Sequence, residues 1–554
     1  MEVFMETQVV EWMQNYNPLN NMWLSALVAF LPIAMFFVSL VVFKAKGHTA
    51  GFLTVVLAAI LAVFVFGMPF DKMLWSFVYG GLYGVWPIAW IIVAAIFLYK
   101  LTVKSGYFDI LRESIIAITP DQRLQVILIG FCFGAFLEGA IGFGGPVAIT
   151  AALLVGMGLR PLYAAGLCLI ANTAPVAFGA VGITITAMAG VVGIPAIEIS
   201  SVAGHMLPPL SLFVPFFLVF LMNGIKGVRE TWPALFVAGF SFALVQYLTA
   251  THLGPELPDI ASAVVSIAAT TIFLKFWQPK HTFTFNTEVG GKQTLEAKTY
   301  SATQITLAWI PFVILIAMII IWTQGWFKDA LAFTTVKFSF DGLSGLTQVP
   351  PVVNEAKAVN AVFSLPLVLN AGTSIFITAL ITMVLLKVKV STAIATFGET
   401  LREMKFALLT ITLVVGFAYV SNYSGLSATL ALALAETGNA FAFFSPIVGW
   451  LGVFLTGSDT SSNLLFGTLQ QLTARQLGLP EVLFLAANSV GGVVGKMISP
   501  QSIAIECAAV GLVGKESDLF RFTIKYSIIL VIGIGIFTYA LAFWIPWAIP
   551  MGQA

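Results

Sequence analysis

Runs of roughly 20 apolar residues, each long enough to cross a bilayer as a helix, recur along almost the whole chain, at 23–43, 49–68, 74–98, 207–222, 233–249, 261–277, 305–323, 365–386, 406–420 and 527–549. Lipid offers the backbone no hydrogen-bond partners, so such segments fold as helices that satisfy their own N–H and C=O groups. Composition agrees. The 554 residues are 59% hydrophobic and 9% charged, against about 25% charged in soluble domains. The formal net charge of +1 leaves no electrostatic footprint for nucleic acid. Glu2, Glu6 and Glu11 stand where a signal peptide carries basic residues, so 23–43 is expected to stay in the membrane. Cys132, Cys168 and Cys507 sit in apolar context and read as packing residues, not a disulfide or metal set.

Two longer intervals, 124–195 and 428–511, hold more apolar sequence than simple spans explain and are rich in Gly, Ser, Thr and Pro. They predict discontinuous helices. The expected fold is an all-α polytopic membrane protein with about twelve transmembrane helices plus broken or re-entrant pieces.

The two intervals resemble each other. Ala171-Asn172-Thr173 matches Ala487-Asn488-Ser489, Gly179 matches Gly495, and Phe-Leu-x-Gly recurs at 136–139 and 454–457. Gly158-Leu159-Arg160-Pro161 echoes Gly478-Leu479-Pro480. Several matches in register point to duplication. Small residues that pack membrane helices produce weaker versions of the same likeness. The crossing at 406–420 puts the second block in the opposite orientation, which predicts inverted repeats. The division is then a first half at 1–277, a cytoplasmic loop at 278–303 and a second half at 304–554. Placing the basic clusters in the cytoplasm (Lys44 and Lys46; Lys100 to Arg123; Lys275 to Lys298; Lys387 to Lys405; Lys515 to Lys525) puts both termini outside. Segment 325–360 is then external, and the mixed-charge segments 107–123 and 391–405 read as helices lying on the inner surface.

Charge inside apolar sequence is costly and usually marks a site. Glu138 lies beside Gly139, Gly142, Gly144, Gly145 and Pro146, a run that lets a helix break. Desolvation favours the uncharged form of any carboxyl group, so Glu138 is a candidate proton carrier. Asp459 is the second. It sits in Thr456-Gly457-Ser458-Asp459-Thr460-Ser461-Ser462-Asn463, a polar run that cannot face lipid. Thr456 and Ser458 offer groups to a polar ligand there, with Gly457 as the breaking residue. Asn172-Thr173 and Asn488-Ser489 offer amide and hydroxyl groups at matching points. Broken helices there would aim backbone N–H groups at an anion, the alternative being helix–helix hydrogen bonding. Lys496 is a rare cation in an apolar region. It can neutralise an anionic substrate, pair with Asp459 or snorkel to the interface. Glu506 has no polar company in sequence and is given no role. Gly142-x-Gly144-Gly145 is not a phosphate loop, since no strand precedes it. His48, His205, His252 and His281 are scattered, so no metal or other cofactor is expected.

At these motifs the chain resembles the bacterial lactate permease family, over nearly its whole length. The likeness rests on long strings: Tyr83-Gly84-Val85-Trp86-Pro87-Ile88-Ala89-Trp90, the 136–145 block, Asn172-Thr173-Ala174-Pro175-Val176-Ala177-Phe178-Gly179, Gly254-Pro255-Glu256-Leu257-Pro258-Asp259-Ile260, 450–463 and Gly495-Lys496-Met497-Ile498-Ser499-Pro500-Gln501-Ser502. The resemblance implies proton-coupled import of L-lactate, with D-lactate and glycolate as related substrates, across the bacterial inner membrane. A remoter similarity, to carriers that place Asn-Thr steps at broken-helix tips, implies that Asn172-Thr173 and Asn488-Ser489 touch the substrate carboxylate. It assigns no proton carrier, so Glu138 and Asp459 stand on the physical argument. The partners expected are thus a small 2-hydroxy monocarboxylate anion, a proton and the lipid bilayer. The rival is a sodium-coupled carboxylate symporter using the same oxygen-rich breaks. An enzyme would need a metal or a nucleophile–base set, and none is visible.

Overall fold

The computed structural model describes residues 11–142, 145–285, 300–359 and 361–550. Gly144 and most of the 278–303 loop lie outside the described residues. Among the described residues, ten helices are long and apolar enough to cross a membrane, or twelve if two bent pairs each count as one span. The all-α polytopic architecture expected from the apolar runs is what forms.

Eight helices build the centre: α1 (Gln122–Ala140), α2 (Gly145–Gly156), α3 (Pro161–Ala171), α4 (Gly179–Val192), α5 (Phe441–Thr456), α6 (Asp459–Gln476), α7 (Glu481–Lys496) and α8 (Pro500–Ala509). All of the apolar window of α1 is buried, whereas Ala302–Thr323 buries only 28% of its window. That contrast separates α1, wholly inside the protein, from a helix turned toward lipid. The order is the same in both sets: helix, break, helix returning, then a helix broken by a bend of 61° (α3–α4) or 40° (α7–α8).

Side-chain contacts show that the two hairpins enter from opposite faces. At the base of the first, the Gln122 amide donates to the Met157 carbonyl (3.2 Å), and Gln122 Oε1 accepts from the Phe285 N–H. Tyr163, at the start of α3, packs on both Phe285 and Phe522. One face therefore carries residues 121–123, 157–163, 281–285 and the start of the helix Glu516–Phe543. It is the basic face, with Arg123, Lys280, Lys515 and Arg521. At the base of the second hairpin, the Arg475 guanidinium meets the Glu481 carboxylate at 2.7 Å, Gln476 donates to the Pro351 carbonyl, and Gln471 donates to the Val192 carbonyl at the far end of α4. This is the opposite face. It carries two small sheets: Thr335–Ser339 antiparallel to Val362–Pro366, and Leu346–Gln348 flanked by Trp12–Met13 and Lys357–Ala358.

The hairpin turns follow from local chemistry. Gly142 (φ +65°) and Gly457 (φ +72°) adopt the left-handed backbone that ends α1 and α5. Ser458 then caps α6, its hydroxyl accepting from the Ser461 N–H. Ser499 caps α8 in the same way, and Pro500 fills the first helical position, where a missing N–H costs nothing. Gly145 opens α2, and among the described residues nothing lies within 4 Å of where its Cβ would stand. Gly139 is helical, and a Cβ on it would stand 2.6 Å from the Asp259 Cβ.

The crossing of α5 with α7 depends on bare backbone. A methyl group on Gly491 would run into the Pro446 carbonyl, and one on Gly449 into the Asn488 carbonyl. Small residues at such crossings let helices approach without apolar side chains between them. Gly491→Ala should therefore lower stability by about 3 kcal/mol, the upper end for overpacking. A melting temperature unchanged in detergent would show that the crossing yields more easily than the packing suggests.

Three expectations are corrected. Segment 391–405 is not a separate surface helix. It is the first part of one helix, Val390–Ser424, because its acids pair with a neighbouring helix: Lys100 Nζ lies 3.1 Å from Glu399 and 2.6 Å from Glu403. The run at 365–386 begins as strand Val362–Pro366, and its helix starts only at Ala371, capped by the Asn370 side chain. The helix α7 is unbroken at Asn488-Ser489. In the second repeat the break falls at 497–499, set by Ser499-Pro500, so the two Asn steps do not occupy matching breaks. The runs at 207–222 and 233–249 form two helical stretches of Pro208–His252, folded back on each other across the kink at Asn223-Gly224, where Gly239 packs on Leu212 and the Ser211 hydroxyl donates to Gln246.

Candidate functional site

The breaks converge on one cavity. Six of the residues singled out from the sequence line it: Glu138, Gly142, Gly457, Ser458, Asp459 and Lys496. Thr184, Thr460, Gln501 and Ser502 add polar groups that sequence reasoning did not single out for a site.

The central contact joins the two repeats. Lys496 Nζ, at the end of α7, lies 2.6 Å from Glu138 Oε1 near the tip of the first hairpin. Both residues are buried, and the second Glu138 oxygen has no partner among the described residues. Lys496 therefore pairs with Glu138, not with Asp459, and does not snorkel. The pair forms because α1 and α7 end at the same level from opposite faces. A Cβ on Gly179 would stand 2.9 Å from Glu138 Oε1, so the first turn of α4 closes over the carboxylate.

Asp459 is held differently. Its Oδ2 accepts from the Ser489 hydroxyl (2.6 Å) and the Asn463 amide (3.3 Å), while Oδ1 has no partner among the described residues. Behind it runs a buried network. Asn488 donates to Asn463 (2.9 Å), Gln470 donates to Asn488 (3.0 Å), and the Ser445 hydroxyl donates to Gln470 (2.8 Å). A satisfied network of this kind fixes one arrangement of α5, α6 and α7 around the carboxylate. Asn463 also donates to the Thr184 carbonyl (3.2 Å), which ties the second hairpin to α4.

The first turn of α4 is strained. Ala180 (φ +46°) and Val181 (φ +55°) take left-handed backbone, as does Gly182. A β-branched residue there is a steric outlier that surrounding structure must impose. Ala180 lines the cavity, so the strain sits at the site.

The remaining expected ligands lie outside the lining. Asn488 and Ser489 spend their side chains on the network just described, the helix–helix alternative. The Thr173 hydroxyl donates to the Ile170 carbonyl, and that of Thr456 to the Gly452 carbonyl. Asn172 ends α3 with both side-chain polar atoms buried and without partners among the described residues.

One carboxylate was missed. Asp259, in the first turn of Pro258–Phe276, is 1% exposed, and neither of its oxygens has a partner among the described residues. It packs beside Gly139 and feels the charges of Glu138 and Lys496. The available signal was an acid opening an apolar run, but Asp is ordinary in a first helical turn. Among the described residues no group of His, Cys, Asp and Glu is arranged to hold a metal ion.

Comparison with known proteins places the chain among permeases. The L-lactate permease of Salmonella typhimurium (strain LT2) is 55% identical over 549 residues, spanning 97% of this chain and 100% of its own. Glycolate permease GlcA of Escherichia coli (strain K12) is 53% identical over 555 residues, 97% of this chain and 99% of its own. The L-lactate permease of Bacillus subtilis (strain 168) is 52% identical, with 98% and 100% covered. The L-lactate permease family model matches residues 25–545, and the chain belongs to that family.

Proposed function

We propose that this protein carries a small 2-hydroxy monocarboxylate, L-lactate with D-lactate and glycolate as alternatives, into the cell together with one proton. The observation that carries the reading is the Lys496–Glu138 contact of 2.6 Å inside the cavity. When Glu138 is ionised it occupies the one cation among the lining residues. Protonation of Glu138 releases Lys496, and the substrate carboxylate takes its place. Lys496 with ionised Glu138 is neutral. Lys496 with the substrate anion and protonated Glu138 is neutral too. The half-loaded combinations carry net charge, which is costly to move through a low-dielectric interior. Proton and substrate therefore bias the same conformational equilibrium, as coupling requires.

Asp459 is the second proton-coupling candidate, with one oxygen unpartnered at the cavity wall. Ser458 offers a hydroxyl to the substrate, as do Thr460 and Ser502. Asn172 has an unpartnered donor and acceptor, suited to a carboxylate or hydroxyl once the α3–α4 bend moves. The names of the relatives, L-lactate permease and glycolate permease, support the substrate class and a carrier rather than an enzyme. The halves 1–277 and 304–554 reorient about the cavity in this reading. The basic face is cytoplasmic, and both termini lie on the periplasmic side of the bacterial inner membrane. The strand Trp12–Met13 lies in the sheet of the opposite face, which supports that orientation.

Uptake of labelled L-lactate into proteoliposomes, with acid outside and no sodium, tests the reading. Accumulation above equilibrium that a protonophore abolishes is expected. Uptake that requires sodium overturns the proton assignment. No uptake of lactate or glycolate under either condition overturns the substrate.

A further inference from the structure

Glu506 lies in α8, 1% exposed, and neither carboxylate oxygen has a hydrogen-bond partner among the described residues. It stabilises nothing the structure shows, in a place where its charge would be costly. Its position is informative. Ser502 and Ile505 line the cavity. Glu506 stands four residues beyond Ser502 on the same side of the helix, about 6 Å along the axis. From there α8 runs on to the turn before Glu516, at the basic face. Glu506 thus lies inside the protein between the cavity and that face.

Among the described residues no cation is paired with it. α2 and α5 contribute no titratable side chain. α3 contributes Cys168, which feels the Glu506 charge. The helix Glu516–Phe543 carries Glu516, Asp518, Arg521 and Lys525 near its start; the Glu516 charge is felt by the neighbouring Cys507, and among the described residues none of the four is paired with Glu506. A buried carboxyl group without a fixed counter-ion, one helical turn from a proton-binding cavity, suits transient protonation better than structural support.

We propose that Glu506 is a relay that passes the proton from the cavity to the basic face, a role that rests on the proton-symport reading above. Glu138 gives up its proton when the substrate leaves, and the Ser502 hydroxyl stands along the way. Glu506 accepts the proton on a carboxylate oxygen and returns it to water at the basic face. Only O–H bonds are made and broken, and the carboxylate is restored in each cycle. Glu506 is a positioning residue for the proton and touches no substrate.

The test separates net transport from exchange. Exchange of internal for external lactate needs only the loaded carrier to reorient, whereas net uptake must release the proton inside. E506Q and E506M are reconstituted, and the variant that elutes monodisperse is assayed. Net uptake driven by the pH gradient should fall by about 100-fold, the scale of a lost positioned proton donor–acceptor. Lactate counterflow at equal pH should stay at the wild-type rate, and the pH profile of lactate binding should not move. E506D should recover most of the net uptake. Wild-type net uptake in the neutral variant overturns the proposal. So does loss of counterflow together with net uptake, or failure of both neutral variants to fold, since each indicates a structural role. A wild-type protein without pH-driven uptake defeats the symport reading itself, and that result precedes any comparison of variants.

Discussion

Replacing Glu138 by Gln should collapse proton-driven accumulation while leaving lactate exchange in place. The wild-type pair holds Lys496 only while Glu138 is ionised. The glutamine side chain is nearly the same size, cannot ionise, and leaves Lys496 permanently available to a carboxylate. Substrate binding then no longer waits for a proton, and the energy of the gradient has no way into the cycle. The magnitude follows from the coupling. One proton crossing a gradient of two pH units supplies about 2.7 kcal/mol, enough for a concentration ratio of about 100. The wild type should approach that ratio, and E138Q should stop near 1. Counterflow in E138Q should persist and lose most of its dependence on pH. Normal pH-driven accumulation in E138Q would move the coupling to Asp459 or Asp259. Loss of counterflow as well would mean that the carboxylate is needed for reorientation.

The features that local sequence exposes are those whose cost is local. Glu138 and Asp459 stood out because each interrupts an apolar run, and Gly142 and Gly457 because a break needs left-handed backbone. Partnership was less visible. Lys496 and Glu138 are 358 positions apart, and nothing near either residue states which hairpin tip the other meets. The same gap misplaced the second break. Asn488 resembles Asn172 in its neighbours, but residues 490–496 continue the helix because their glycines are packed against α5. The stop comes from Pro500, a signal outside the aligned motif. Segment 391–405 looked amphipathic because its acids have no partner in sequence; they have Lys100 in space. Asp259 escaped notice for the opposite reason, since a first-turn Asp needs no explanation until the structure leaves both its oxygens unpartnered.

Removing the cation should also cost stability. Lys496→Gln leaves Glu138 buried and without the ammonium at 2.6 Å. Breaking one side of a buried pair costs about 3–5 kcal/mol, chiefly from the stranded charge. K496Q should therefore melt well below the wild type in detergent and bind lactate weakly. The double variant E138Q/K496Q removes the stranded charge, and two amides can hydrogen-bond where the ions met. Its melting temperature should return most of the way to the wild type, because a buried ion pair adds little over a well-packed neutral replacement. Transport should not return, since neither the proton site nor the cation for the carboxylate is present. Recovery of stability without function would assign the pair to coupling. A double variant as unstable as K496Q would show instead that the ion pair holds α1 against α7, and that its place in the cavity is architectural.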